Sequence, residues 1–432
     1  MTYSRIITAL ALATPMALAL TTGAMAAGKP QFGDPIKMDK DTTFDPIVDL
    51  RLRWENVDQP LTTGNAVTAR LRAGYEIKNI PSHLAFLVEA EGTLALSKKY
   101  NAFPFVVASP QRRPAYGTVA DSENVELNRI QLQYKTKLAT LTVGRQRINL
   151  DDERFVGSVG WRQNEQTFDA VRGEVKFGKN GSLDVTYADS QRTIFGHDAV
   201  ARTKYKGQFV FVGAAEKLGA VNLKAFAYLL DYDPTAFTFQ TNSSQTYGLR
   251  ATTTLALSKK AKLALAGSYA RQSNYGSNPF KYSADYFAAE GGLIYKGVTV
   301  KLGYEELGSD AAAVGGPRSV QTPMATLHKF DGWADVFLTT PTRGLRDYYA
   351  SAAYTSQFTK ALPKMNFVMS YHKFTSDTGG IYYGNELDQS VGFTTGKVNW
   401  LIKYAKYTAK GTAAVGSGVN TRKIWVQSGI SF

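Results

Sequence analysis

The chain has 432 residues, a formal net charge of +14 and no cysteine. The missing thiols exclude disulfide staples, thiolate metal sites and a cysteine nucleophile. Beyond the N-terminus there is no run of about 18 apolar residues, so no membrane-spanning helix is expected. The 24 Tyr and 23 Phe on a mildly polar average composition instead fit alternating strands.

In chain order, Arg5 precedes an apolar stretch from Ile6 to Leu20, and Ala24-Met25-Ala26 follows as a small-residue cleavage site. This predicts a signal peptide over 1–26. Its removal takes away one positive charge, Arg5, and leaves +13 of the +14. A basic excess points to nucleic acid, an anionic membrane or an anionic solute. Export makes nucleic acid the least suitable of the three. Residues 27–43 are expected to be a periplasmic segment, and 44–432 one barrel.

Two-residue alternation then runs almost to the last residue. In "IVDLRLRWEN", Val48, Leu50, Leu52 and Trp54 alternate with Asp49, Arg51, Arg53 and Glu55. In "VTARLRAGYEIK", Arg70, Arg72, Glu76 and Lys78 share one face, and Val67, Ala69, Leu71, Ala73, Tyr75 and Ile77 share the other. "NRIQLQYK", "TYGLRATTTLAL", "AKLALAGSYAR", "VTVKLGYEE" and "MNFVMSYHK" repeat the pattern. Short links such as "NIPS", "GKNG", "KG" and "TGK" alternate with long ones near 57–65, 98–123, 149–165, 193–204, 232–243, 274–283, 308–345, 376–383 and 409–420. Nine long loops and eight short turns predict an all-β, antiparallel transmembrane barrel of about 18 strands with both termini periplasmic. The final strand, "RKIWVQSGISF", ends on Phe432, which resembles the signal read by the outer-membrane assembly machinery.

A charge on the lipid face costs roughly 2–4 kcal/mol at the midplane, so the charged rows are expected to face the lumen. Collected strand by strand, they give Arg51, Arg53, Arg70, Arg72, Arg129, Lys135, Arg145, Arg147, Arg172, Lys176, Arg250 and Lys301. Acidic neighbours include Asp49, Glu55, Glu76, Glu89, Glu91, Glu174, Glu290 and Glu305. Lumen charges can simply be solvated or paired across strands. They can also form an anion-selecting track, because the planar guanidinium fork bonds both oxygens of a carboxylate. The clustering is densest in the first six strands, in keeping with the track.

Two loops stand out. In "GRQRINLDDERFVGSVGWRQNEQTFDAVRGEVKF", 144–177, Asp151, Asp152 and Glu153 open a loop and Trp161-Arg162-Gln163-Asn164 closes it. The acids are expected to pair with Arg147, Arg154 or Arg162 and hold the loop inward. A calcium site at 151–153 is the competing reading, carboxylates being hard ligands. In the loop 308–345, the first half of "MATLHKFDGWADVFLTTPTRGLRDYY" reads as a short helix with Leu327, Phe330, Trp333, Ala334 and Phe337 along one side. A loop of this length is usually functional, here as a constriction or a lid. The residues placed at the constriction are Asp151, Asp152, Arg162, His328, Lys329, Asp331 and Trp333.

These two passages, with "TLHKFDGWADVFL" and "GLRDYY", resemble the alginate-export family of outer-membrane porins over 144–177 and 324–350. The resemblance implies an eighteen-stranded monomeric barrel with an electropositive pore, and matches Arg145, Arg147 and Arg172 to the lumenal cations that attract uronate carboxylates. Only four histidines occur, His83, His197, His328 and His372, and no catalytic motif accompanies them. The reading is therefore a non-enzymatic outer-membrane channel without cofactor or metal, passing anionic solutes, with lipid and an anionic solute or polysaccharide as partners. The alternatives are an uptake porin for small organic acids or other solutes, a plugged structural or adhesive barrel, and a barrel enzyme.

Overall fold

The computed structural model describes residues 33–105, 109–234, 239–356 and 364–432. The expected signal peptide lies outside them. Strand Thr42–Asp58 pairs with Thr63–Asn79, and each later strand pairs antiparallel with the next through Val298–Leu307, then from Leu345–Ser356 to Thr421–Ser431. The last strand returns to the first, with Arg51 opposite Gly429 and Trp54 opposite Val426. The result is a closed ring of eighteen strands, as expected, with no unpaired edge. Phe432 sits at the seam, where its backbone N–H donates to Val48 O at 2.8 Å. The first barrel strand begins at Thr42, and a two-residue strand, Ile36–Lys37, folds back onto it.

Inside and outside follow the alternation. Arg70, Arg72, Glu89, Glu91 and Thr93 are buried toward the bore. Leu52, Leu132, Leu141 and Leu302 stand exposed on the outer wall, Leu302 at 66%. Both ends of the barrel chain lie at the short-turn end.

The interior is not empty. An apolar cluster including Phe168, Phe211, Tyr228, Phe337, Tyr407 and Trp425 packs in the long-loop half of the bore. A second, around Tyr100, Phe103 and Val119, packs under the loop that follows Leu84–Ala95.

The expected helix in 308–345 is absent. Only Leu327–Lys329 makes a single 3₁₀ turn. Asp331, Gly332 and Asp335 all adopt positive φ, at 55°, 82° and 58°, which ends any right-handed helix. The Trp333 and Ala334 N–H groups donate to wall carboxylates instead of to preceding carbonyls.

Candidate functional site

The loop between Ala139–Gln146 and Thr167–Phe177 crosses the bore. At one end Arg162 donates to Glu55 at 3.1 Å, on the first strand. At the other, Asp152 accepts from Arg250 at 2.8 Å, on strand Ser244–Ala256. Those are the first and tenth strands of eighteen, so they stand diametrically opposed. A single loop therefore braces the barrel from wall to wall.

The loop between Val298–Leu307 and Leu345–Ser356 zips onto it. Gly157 N donates to Met324 O at 2.9 Å, Thr326 N to Glu153 O at 3.0 Å, and Val159 N to Thr326 Oγ1 at 3.0 Å. The approach is close enough that a Cβ on Gly157 would lie 2.3 Å from Thr326 Oγ1, which explains the glycine in "RFVGSVG". The second loop then docks on the wall. Trp333 N donates to Asp388 at 3.1 Å and Ala334 N to Glu386 at 2.6 Å. A Cβ on Gly332 would lie 2.5 Å from the Glu386 carboxylate, so "DGW" is needed to bring the backbone this near.

Between the loops and the wall lies a stack of cations and aromatic rings. Trp161 stacks on His328 with 4.3 Å between centroids and 5° between planes. Lys403 Nζ lies 4.2 Å from the Trp161 centroid and 3.7 Å from that of Trp333, and 2.8 Å from His328 Nε2. Arg53 covers Trp161 at 4.2 Å. Such desolvated cation–π contacts are worth about 2 kcal/mol or more. His328 Nδ1 meets Asp335 at 2.7 Å, and Asp335 also pairs with Arg162 at 2.7 Å and Lys423 at 2.8 Å. Burial, with Lys403 and Arg162 alongside, pushes the His328 imidazole well below its ordinary value despite Asp335. Burial alone would raise the Asp335 carboxyl, but His328, Lys423 and Arg162 together hold it well below the usual range.

Most of the expected lumen cations are here, and most are paired. Arg70 bonds Asp49, and Arg72 bonds Glu91 and, at 3.3 Å, Glu165. Arg129 pairs with Glu89 at 2.7 Å and Arg147 with Glu165 and Glu89. A bulge at Glu89/Ala90 lets both Asn128 and Arg129 reach that one carboxylate. Arg53 pairs with Asp121 at 3.2 Å, and Arg172 with Asp184 and Glu174. Arg51 differs. Its guanidinium donates to three loop carbonyls, Gly160, Trp161 and Arg162, at 3.1, 3.1 and 3.2 Å, and makes no ion pair among the described residues.

Two positions depart from the lumenal group. Arg145 lies opposite Ile130, which is exposed on the outer wall, and it follows Leu141 and Val143 on the outward row. It pairs there with Asp169 at 2.7 Å. Lys176 has lumenal parity but sits exposed at the short-turn end, apart from the constriction.

The acids of the crossing loop also find other partners than expected. Asp151 bonds Lys224 at 2.8 Å, Asp152 bonds Arg250, and Glu153 bonds Lys329 at 2.5 Å. They diverge toward three separate cations and do not converge as a calcium cage would. Arg154 instead serves Asp331 at 2.9 Å and Glu305 at 2.7 Å. A cavity of about 550 Å³ remains beside the second loop, lined by Asp152, Arg250, Glu290, Lys301, Trp333 and Tyr349 among others.

Sequence reasoning missed Lys403, Lys423, Glu386, Asp388, Asp121 and Asp335. For Lys403 the signal was present, between outward Ile402 and Tyr404; Glu386, Asp388 and Lys423 have one apolar neighbour each that could mark the row, Leu387 for the two acids and Ile424 for the lysine.

Residues 48–274, over half of the chain, match the family described as alginate export, and the chain belongs to that family. The motif at 144–177 lies inside the match and that at 324–350 outside it. No curated protein matches the chain. Among solved structures, OccAB3 of Acinetobacter baumannii is similar with a TM-score of 0.65 at 15% identity, over 90% of this chain and 99% of that one. OpdQ of Pseudomonas aeruginosa gives 0.65 at 14%, over 90% and 98%. OpdK of Pseudomonas aeruginosa, solved with vanillate, gives 0.64 at 12%, over 90% and 99%. At such identities the likeness concerns the fold, that of an outer-membrane porin.

Proposed function

We propose that this outer-membrane barrel of the alginate export family is a passive channel for anionic solutes, narrowed by the two loops that meet inside it. The observation that carries the reading is Arg51. Beside the constriction it presents a guanidinium bound only to carbonyls, on the wall where Arg53, Arg70 and Arg72 also face inward. Neutral acceptors leave its charge uncompensated, and a positive constriction raises the local concentration of anions. Its neighbours hold carboxylates already, so they supply rigidity and geometry more than net field.

Direction then follows the gradient, with the short turns and both termini on the periplasmic side. One chain suffices, because the closed ladder leaves no edge for a second copy. No cofactor is required, and His328, Asp335, Glu386 and Asp388 serve loop docking.

Within the anionic class, the wall-to-wall brace favours small organic acids over an acidic polysaccharide such as alginate. A polymer strand needs the brace released, and a small acid needs only a path beside it. The carboxylate bound to OpdK is in keeping with that size. Flux into vesicles tests the reading. Small mono- and dicarboxylates are expected to enter several-fold faster than amines of equal size. Equal or faster amine entry would overturn it, and entry of long polyuronates would restore the polysaccharide reading.

A further inference from the structure

Six of the eight short turns carry a lysine within the turn: Lys137, Lys179, Lys259, Lys296, Lys364 and Lys397. All six are exposed, and none makes an ion pair among the described residues. Because the turns join successive strand pairs, the charges form a ring around one rim of the wall and not a local patch. The long-loop end is less regular. There, paired cations such as Arg346–Glu306 at 2.8 Å and Arg422–Asp58 at 2.7 Å stand among exposed lysines such as Lys204, Lys281 and Lys410, which make no ion pair among the described residues and recur in no fixed position of the loops.

The ring also sits at the border of the apolar band. Lys296 Nζ lies 5.2 Å from the Tyr295 ring centroid, and Lys397 Nζ 4.9 Å from that of Phe432. Tyr295 and Trp400 are exposed on the outer wall beside those turns. Lysines with long stems over outward aromatics can keep the stem in the apolar layer and raise the ammonium to the headgroups.

We propose that the short-turn rim is a collar for anionic phospholipid headgroups in the adjoining leaflet. A circle of unpaired point charges at wall radius matches a lipid annulus. A polymer threading the pore would be met nearer the axis, where the arginines already hold carboxylates. Each lysine that a headgroup meets is expected to raise its binding about fivefold. The inference rests on the membrane placement proposed above and not on the identity of the solute.

The test uses the full chain in phosphatidylcholine vesicles with rising fractions of brominated phosphatidylglycerol. The reading is quenching of Trp400, taken as the difference from a W400F variant. The expected result is at least a fivefold preference for the anionic lipid, lost in the K296Q/K364Q/K397Q variant. It is also lost in about 1 M salt, where the screening length is about 3 Å. A preference near one at low salt, or the same preference in the variant, would overturn the assignment. So would a wild type without lipid preference that binds a soluble polyuronate in detergent through the same lysines. If the variant does not refold, the salt titration of the wild type decides alone. Loss of anion selectivity with the lipid preference intact would count against the solute reading and leave this one standing.

Discussion

Removing Arg162 should free the brace while sparing the barrel. Its guanidinium holds Glu55 at 3.1 Å and Asp335 at 2.7 Å, all three groups being nearly inaccessible to solvent. In R162A, Asp335 keeps Lys423 at 2.8 Å and His328 at 2.7 Å. Glu55 keeps no ion pair among the described residues. Deleting one partner of a buried pair costs about 3–5 kcal/mol, because the survivor's charge stays buried. The lower figure shifts the balance between docked and undocked loop by roughly a hundredfold. The eighteen-strand ladder takes no part in this loss. Single-channel recording should therefore show larger, noisier openings in R162A, and limited proteolysis should cut near Trp161. The double variant E55Q/R162M should recover much of the quiet behaviour, since it leaves neither charge unpaired. An R162A channel with wild-type conductance and an uncut loop would refute the reasoning.

Three further outcomes follow from the same geometry. His328 is held neutral below its ordinary value, so the loosened loop takes up a proton that the docked loop does not; docking should weaken as pH falls below about 6.5, by up to about 1.4 kcal/mol per unit. Conductance should rise between pH 7 and 5, and H328Q should flatten that rise; an identical rise in H328Q would exclude the histidine. G332A places a side chain at φ 82° and against Glu386, costing about 1–2 kcal/mol for the backbone alone, and should loosen the loop without lowering the heat resistance of the barrel in detergent. L302R, on the outer wall, should cost roughly 2–4 kcal/mol in urea unfolding from lipid vesicles, and an unchanged midpoint would contradict the face assignment.

The barrel was legible in the sequence because its physics is local. Lipid on one side and water on the other impose the period-two rhythm, and the alternation of short and long links fixes the count. Arg70 and Arg72 could be assigned from Leu71 between them, and Arg145 could have been assigned in the same way from Leu141 and Val143. It was grouped with Arg147, but the strand ends at Gln146, and Arg147 enters the loop free of the alternation. The interior of the bore was not legible. Asp151 meets Lys224 and Asp152 meets Arg250 only because the loop crosses the barrel, a matter of closure and not of spacing. The apolar spacing of Leu327, Phe330 and Phe337 suggested a helix. Wall carboxylates Glu386 and Asp388 claim the N–H groups such a helix would need.

The most direct test of the central claim is the reversal potential across a planar bilayer under a potassium chloride gradient, for wild type and for Arg51→Gln. The account predicts a wild-type potential displaced toward that of chloride and a clear move toward zero in the variant. A cation-selective wild type, or a variant as anion-selective as its parent, would contradict it.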